Sequence, residues 1–212
     1  SSETDGDVIR NGNTDISSGT WITDDTDGAG DPSPNNVHDA VIHENVNGEQ
    51  RLLVTTATDI AVLNSAAQAN LWDIDWGSTI ASGGIALQNT VYHPIARLQR
   101  LVAVADKISG VPVIHTIDQN DVFTASRLSF GAEYEVKCIY TSSNRFWFGL
   151  QHNQEGKAKI IEWDGYSLTY NNEYELVGSY PIAGFIARDI PYFIDDRGYI
   201  YKSTGGSYER VQ

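Results

Sequence analysis

Cysteine and methionine are almost absent from this 212-residue sequence, which contains one cysteine and no methionine. A single cysteine excludes an intrachain disulfide, so disulfides cannot hold this fold together as they do in small secreted domains. Cys138 lies in an alternating run with Val136 and Tyr140 on one face, which predicts a buried, unreactive thiol. Because there is no initiator methionine, we expect the chain to start after processing or inside a longer polypeptide.

Basic residues are also scarce. The chain has 14 lysines and arginines and 28 aspartates and glutamates, which gives a formal net charge of −14. This negative field would repel nucleic-acid phosphates and acidic membrane surfaces, so no nucleic-acid partner is expected. No apolar run approaches the roughly 20 residues of a membrane span, and the first residues do not read as a signal peptide. Cations and basic protein surfaces are the charged partners that this composition favours.

Helical periodicity is nearly absent as well, and the one alanine-rich stretch, residues 65–71, is too short for an independent helix. Aromatic and β-branched residues alternate instead. In the clearest case, the runs 146–150 and 158–163 flank a polar turn at Glu155-Gly156. Alternation on both sides of a glycine-containing loop is typical of a β-hairpin.

The start of this hairpin recurs along the chain. Similar segments begin at positions 51, 100, 145 and 190, which are 49, 45 and 45 residues apart. A period of roughly 40–50 residues built from short strands is typical of β-propeller blades. The sequence therefore predicts an all-β fold, a β-propeller with four recognisable four-stranded blades of about 45 residues. Equivalent positions in the four blades are predicted for Leu53, Val102, Trp147 and Tyr192.

The predicted blades begin after a segment of different composition. Residues 1–38 are rich in Ser, Thr, Asp, Asn and Gly, which predicts irregular backbone or the end of a preceding blade, with short strands near 7–10 and 19–23. Residues 77–88 are predicted to be an insertion between blades one and two. The blade boundaries are expected at about 39–76, 90–130, 134–176 and 180–211.

Four blades are the usual lower limit for closing a propeller. A closed four-blade ring and a larger ring continued outside this sequence are therefore both open. The missing methionine and the polar first residues favour the larger ring.

Two clusters could hold a metal ion. Asp24, Asp25, Asp27 and Asp31 place four carboxylates within eight residues, which would suit calcium, although the spacing does not match an EF-hand loop. A solvated acidic loop is the favoured interpretation of this cluster. His38 and His43 lie beside acidic residues, but a zinc site needs closely convergent ligands, so hydrogen-bonded or exposed histidines are favoured.

No residue pattern identifies a reaction. A sialidase-like site would need three arginines around a carboxylate, but Arg51, Arg100 and Arg145 occupy the same place in successive blades. A repeated position favours a role in the blade, such as pairing with a neighbouring acid, over a unique active site. No Gly-x-Ser-x-Gly, P-loop or dinucleotide motif occurs, so we expect neither catalysis nor a cofactor other than the candidate calcium.

Tyrosine is concentrated in the second half of the chain, where Trp147 also lies among Tyr166, Tyr170, Tyr174 and Tyr208. Packing between adjacent blades is the favoured role for most of them. Exposed members beside Asn and Asp would suit stacking on sugars or contacts with proteins.

Two resemblances extend this interpretation. Ser203, Gly206 and Tyr208 resemble the Ser, Gly and aromatic positions of an Asp-box, a turn between outer blade strands, although the Asp itself is absent. The degenerate blades, the acidity, the lack of disulfides and the abundance of Asn, Ser, Thr and Tyr resemble the propeller modules of tailed-phage virion proteins and other extracellular assemblies. That resemblance implies a non-enzymatic scaffold in a virion or extracellular assembly, bound to other subunits or to a surface glycan.

Two other functions fit the same fold. One is a secreted propeller that binds carbohydrate or hydrolyses glycosides. The other is an intracellular protein-interaction propeller, which a single reduced cysteine permits.

Overall fold

Alternating apolar runs form strands throughout the part of the chain that the computed structural model describes, namely residues 9–11, 21–23, 37–64, 72–73, 75–79, 83–88, 91–142 and 144–211. These residues form four antiparallel four-stranded sheets and one two-stranded ribbon. The four sheets are the blades of a β-propeller, so the predicted fold class is confirmed.

The strands of each blade pair in chain order. Blade one consists of β3 (Asp39–Glu44), β4 (Gln50–Thr55), β5 (Ile60–Asn64) and β6 (Trp72–Asp73). Blade two consists of β7 (Ile95–Leu98), β8 (Leu101–Ile108), β9 (Val111–Ile117) and β10 (Phe123–Ser129). Blade three consists of β11 (Tyr134–Thr141), β12 (Phe146–His152), β13 (Lys157–Trp163) and β14 (Asn172–Val177). Blade four consists of β15 (Pro181–Ala187), β16 (Ile190–Asp195), β17 (Ile200–Ser203) and β18 (Tyr208–Arg210). The ribbon pairs β1 (Ile9–Asn11) with β2 (Trp21–Thr23), where short strands were predicted.

Apolar side chains fill the seams between successive blades. The first strands of neighbouring blades contact one another: β3 contacts β7, β7 contacts β11, and β11 contacts β15. Leu53 and Val104 lie in the seam between blades one and two, and Phe148 lies in the seam between blades two and three. Phe193 is fully buried in the seam between blades three and four. The middle strands are therefore apolar on both faces, as expected for strands covered from both sides.

Three of the four positions that were predicted to be equivalent lie on the same face of their blades. Leu53 faces the following blade, Trp147 faces blade four, and Tyr192 lies on the corresponding face of blade four. Val102 was placed wrongly, because its side chain points back into the seam with blade one. The first residue of β8, Leu101, faces blade three, whereas the first residue of β12, Phe146, faces the preceding blade, blade two. The two strands are therefore out of step by one residue, and a shift of one residue exchanges the two faces of a strand.

Blade one, predicted to extend to about residue 76, ends with a short helix. Its last described strand is β6, and Trp76 opens the helix α1 (Trp76–Thr79). Asp59 holds this turn in place, since its Oδ1 accepts hydrogen bonds from the backbone of Ser78 (3.0 Å) and of Ile60 (2.8 Å). No helix in the described ranges is long and apolar enough to span a membrane.

A tight turn joins β8 to β9. β8 continues to Ile108, and only Ser109 and Gly110 form the turn, both at positive φ. Two consecutive residues at positive φ suit a tight hairpin, because this backbone twist matches that of the flanking strands.

Candidate functional site

One face of blade four has no blade against it among the residues that the structure describes. Strand pairing places Phe185 opposite Tyr192 and Ile194 opposite Ile200, on the side away from blade three. We call this surface the free face, and its residues are Ala183, Phe185, Ala187, Ile190, Tyr192, Ile194, Ile200, Lys202, Glu209 and Val211. No described strand packs on it as the neighbouring blades pack on one another.

The free face is apolar and partly exposed. Phe185 is 40% exposed and Val211 is 49% exposed. The rings of Phe185 and Tyr192 stack with centroids 5.1 Å apart. The opposite face of the same sheet is buried against blade three, where Phe193 stacks on Tyr201 at 4.6 Å. Blade four is therefore built like a blade covered on both sides, although only one side is covered within the described part of the chain.

The free face also carries no net formal charge. Its two ionic residues, Lys202 and Glu209, lie directly opposite each other on β17 and β18. The chain as a whole has a formal net charge of −14. A second acidic protein could therefore approach this surface without meeting a net negative charge.

A polar groove opens in the seam between blades three and four, at the rim that carries the β11–β12 and β13–β14 connections. We call it the rim groove; it has a volume of about 370 Å³. Glu162 lines it and accepts hydrogen bonds from Arg145 Nε (3.1 Å), Asn172 Nδ2 (2.8 Å) and the Tyr174 hydroxyl (3.4 Å). Burial and then the charge of Glu162 raise the pKa of Tyr174, so its hydroxyl stays protonated and can donate. The polar groups of the groove therefore hold one another in place.

A second polar cluster is buried between blades one and two. Asp106 Oδ2 lies 3.2 Å from His115 Nε2, and Asp106 Oδ1 lies 3.7 Å from His93 Nδ1. All three side chains are fully buried. Burial alone would raise the pKa of Asp106, but the hydrogen bond from His115, those from the Lys107 and Gln88 backbone and the charge of His93 outweigh it and lower that pKa. Asp106 is therefore a buried carboxylate that is stabilised by its partners.

The hydrogen bonds define the roles of the two histidines. His93 Nδ1 and Nε2 each lie 2.9 Å from a carbonyl oxygen, of Ala105 and of Gln88. Carbonyl oxygens only accept, so both bonds form when the His93 ring carries both protons. His115 Nδ1 accepts from the Ser126 backbone at 3.0 Å, which leaves Nε2 to donate to Asp106. This cluster contains no reactive group that faces solvent, so we interpret it as structural.

We expect His38 to make folding less stable in mild acid. Its Nδ1 accepts a hydrogen bond from the His93 backbone at 3.2 Å, and burial and then the positive charge of His93 lower its pKa. Below the usual pKa of 6.5 the unfolded chain binds a proton that the folded chain does not, so the free energy of unfolding falls as pH falls. In urea unfolding between pH 8 and 5.5, the free energy of unfolding should fall less steeply with falling pH in His38→Asn than in the unmodified protein. Equal pH dependence of the two proteins would contradict this role for His38.

The predicted metal clusters have different outcomes. Asp24, Asp25, Asp27 and Asp31 lie outside the described residues, so the calcium hypothesis stays a prediction. His38 and His43 have separate partners: His38 is near Tyr92 and His93, whereas His43 lies 3.1 Å from Asp121. Within the described ranges, no group of three or more His, Cys, Asp or Glu could hold a metal ion.

The three repeated arginines each lie beside a carboxylate. Arg51 Nη1 is 2.9 Å from Asp121, Arg100 Nη2 is 3.6 Å from Glu44, and Arg145 is held by Glu162. They are distributed over three blades and do not meet around one point. Arg145 and Trp147 were singled out from the sequence, whereas Glu162 and Asn172, which lie with them in the rim groove, were not. The signal for Glu162 was a carboxylate in the otherwise apolar run 160–163.

Cys138 is buried, and burial raises the pKa of its thiol to about 12. A protonated, inaccessible thiol is unreactive, as predicted. The Asp-box-like segment forms the β17–β18 hairpin, in which Ser203 Oγ accepts a hydrogen bond from the Gly205 backbone at 3.3 Å. Tyr208 packs into the seam with blade three, so this segment supports the fold.

No family model and no curated protein matches this sequence. The chain is similar to a chain in the crystal structure of a nidogen/laminin complex, with 9% sequence identity over 93% of this chain and 86% of that chain, and a TM-score of 0.40. At this level the similarity carries no argument about function. The propeller assignment rests on the strand pairing and seams described above.

Proposed function

We propose that this chain is a non-enzymatic propeller module that assembles with other copies of itself through the free face of blade four. The observation that carries this proposal is the position of that face. In blades one and three the corresponding face, marked by Leu53 and Trp147, is buried against the next blade. In blade four the same face, marked by Tyr192, has no described blade against it. Contiguous exposed apolar surface of this kind typically marks a protein contact.

The charge distribution favours a second copy as the occupant. Two chains of formal charge −14 repel each other at long range, so contacts that bring no net charge together are favoured. The free face meets this condition, because its one acidic residue, Glu209, lies opposite Lys202 on the neighbouring strand and its remaining residues are uncharged. Its aromatic centre, Phe185 stacked on Tyr192, provides the kind of rigid apolar anchor that dominates many interfaces.

Sedimentation velocity over a wide concentration range tests this proposal. The unmodified chain should shift from monomer to a larger species as concentration rises. Phe185→Lys should weaken association by about tenfold or more, because each copy then brings an unpaired charge into the contact. Leu168→Lys is the matched control, since Leu168 is a 78% exposed residue of the β13–β14 connection, and it should assemble like the unmodified chain. Circular dichroism would confirm that both variants remain folded.

Two results would count against assembly through this face. The first is an unmodified chain that stays monomeric at every concentration. The second is equal weakening by Phe185→Lys and Leu168→Lys, because that would place the contact elsewhere.

We further propose that the assembly belongs to a virion or another extracellular structure. The support is compositional: an acidic chain with degenerate blades and no disulfide, rich in Asn, Ser, Thr and Tyr. Antibodies raised against this chain should label purified particles or the extracellular fraction of the source. Labelling confined to the cell interior would favour an intracellular interaction propeller instead.

A further inference from the structure

The rim groove has the size and position of a ligand site. Its volume of about 370 Å³ lies in the range of small-molecule pockets, about 300–1,000 Å³. Blade three supplies Arg145, Glu162, Asn172 and Tyr174, and blade four supplies Asp189. Loops at one rim of a rigid propeller are a common location for binding residues, because the scaffold fixes them.

The polar groups of the groove are prepared for recognition before a ligand arrives. Glu162 is only 13% exposed, and it accepts hydrogen bonds from Arg145, Asn172 and Tyr174. Arg145 Nη1 also donates to the Asn144 carbonyl at 2.9 Å. Side chains held in this way lose little conformational entropy on binding, which favours affinity.

The chemistry of the groove matches hydroxyl groups. Arg145 offers donors, Asp189 offers acceptors, and the amide of Asn172 offers both. Tyr174 is partly exposed and stacks on the buried Trp147 with ring centroids 6.3 Å apart. Both residues line the groove, so the Tyr174 ring supplies apolar surface beside the polar groups. Sugars present adjacent hydroxyls that both donate and accept, together with apolar ring faces that pack on aromatic side chains.

Charge restricts the class of sugar. Two carboxylates, Glu162 and Asp189, and one arginine line the groove. The chain as a whole has a formal net charge of −14. A carboxylated or sulfated glycan would be repelled. We therefore propose that the rim groove binds a neutral oligosaccharide.

Binding to the purified chain can be measured by calorimetry and saturation-transfer NMR with neutral glucose-, mannose- and galactose-based oligosaccharides, and with one sialylated oligosaccharide. At least one neutral sugar should bind, and the sialylated sugar should bind more weakly. Asn172→Ala and Arg145→Ala should each weaken binding by about tenfold, the effect of losing one hydrogen bond to a charged or amide group. Asn172 is exposed, so its truncation should leave the fold intact even if Arg145→Ala does not.

Arg100→Ala is the matched control. Arg100 occupies the equivalent place in blade two and lies beside Glu44 and Gln119, outside the groove. Its loss should leave sugar binding unchanged. Failure of every neutral sugar to bind would overturn the proposal, as would binding that Asn172→Ala and Arg100→Ala affect equally. The groove lies on the side of blade four that faces blade three, so Phe185→Lys should bind sugar normally, and the two proposals can fail separately.

Discussion

Replacing Asp106 by alanine is expected to lower the free energy of unfolding by about 2–5 kcal/mol, because a buried donor left without an acceptor costs about 1–3 kcal/mol. Asp106 accepts hydrogen bonds from His115 Nε2 (3.2 Å) and from the Gln88 backbone (3.1 Å), and its side chain is fully buried. Alanine leaves both of these donors without an acceptor. Solvent cannot enter freely to replace the lost carboxylate, so the cost falls on the folded state.

Chemical denaturation at neutral pH would measure this loss. Asp75→Ala is the matched control, because Asp75 is exposed beside α1, and we expect it to change stability by no more than about 0.5 kcal/mol. A stability loss below about 1 kcal/mol for Asp106→Ala would contradict the role of Asp106 as the acceptor of these buried hydrogen bonds.

The second large effect is expected at the seam between blades three and four. A Cβ atom added at Gly184 would lie 2.1 Å from two ring atoms of Tyr140. Tyr140 is itself buried against Trp147, with ring centroids 6.3 Å apart, so it has little room to move. Gly184→Ala should therefore lower the free energy of unfolding by about 1–3 kcal/mol or more, because the added methyl group overpacks the seam.

Thermal and urea unfolding of three variants would test this geometry. Gly206→Ala is the control, since an added Cβ there meets no atom within 4 Å and should have almost no effect. In a Tyr140→Leu background the cost of Gly184→Ala should shrink, because the smaller side chain removes the clash. An equal cost of Gly184→Ala in the unmodified protein and in the Tyr140→Leu background would contradict the close approach of the two blades.

The strands of this fold were predictable because they depend on local alternation. The runs 146–150 and 158–163 were predicted from their aromatic and β-branched residues, and they lie in β12 and β13. Their repetition then predicted the number of blades. The face on which a side chain lies was harder to predict, and Val102 shows why. β8 and β12 both begin directly after an arginine, but Leu101 faces the following blade and Phe146 faces the preceding one. An equal distance from the arginine therefore does not place Val102 and Trp147 on the same face.

Contacts between blades could not be predicted from local sequence patterns. Asp106, His93 and His115 come together only when β8 and β9 pair and residue 93 folds back onto Ala105. A charged residue in the apolar run 101–108 was the one available signal. The helix α1 was missed for a similar reason, because Asp59, from a different segment, provides the hydrogen bond to its backbone.

The candidate site was predictable in part. Arg145, Trp147 and Tyr174 were singled out from their repetition and from the concentration of aromatic residues. The groove itself depends on Asn172 and Asp189, which reach it from β14 and from the turn between β15 and β16. Such convergence of separate segments requires the blade arrangement, and single-sequence patterns do not contain it.

Hydroxyl-radical footprinting at low and high protein concentration tests most directly whether the free face is a contact between copies. Oxidation of Phe185 and Tyr192 should fall several-fold at high concentration, while oxidation of Tyr166, which is 67% exposed on the β13–β14 connection, should stay constant. Equal oxidation of Phe185 and Tyr192 at both concentrations would contradict assembly through blade four.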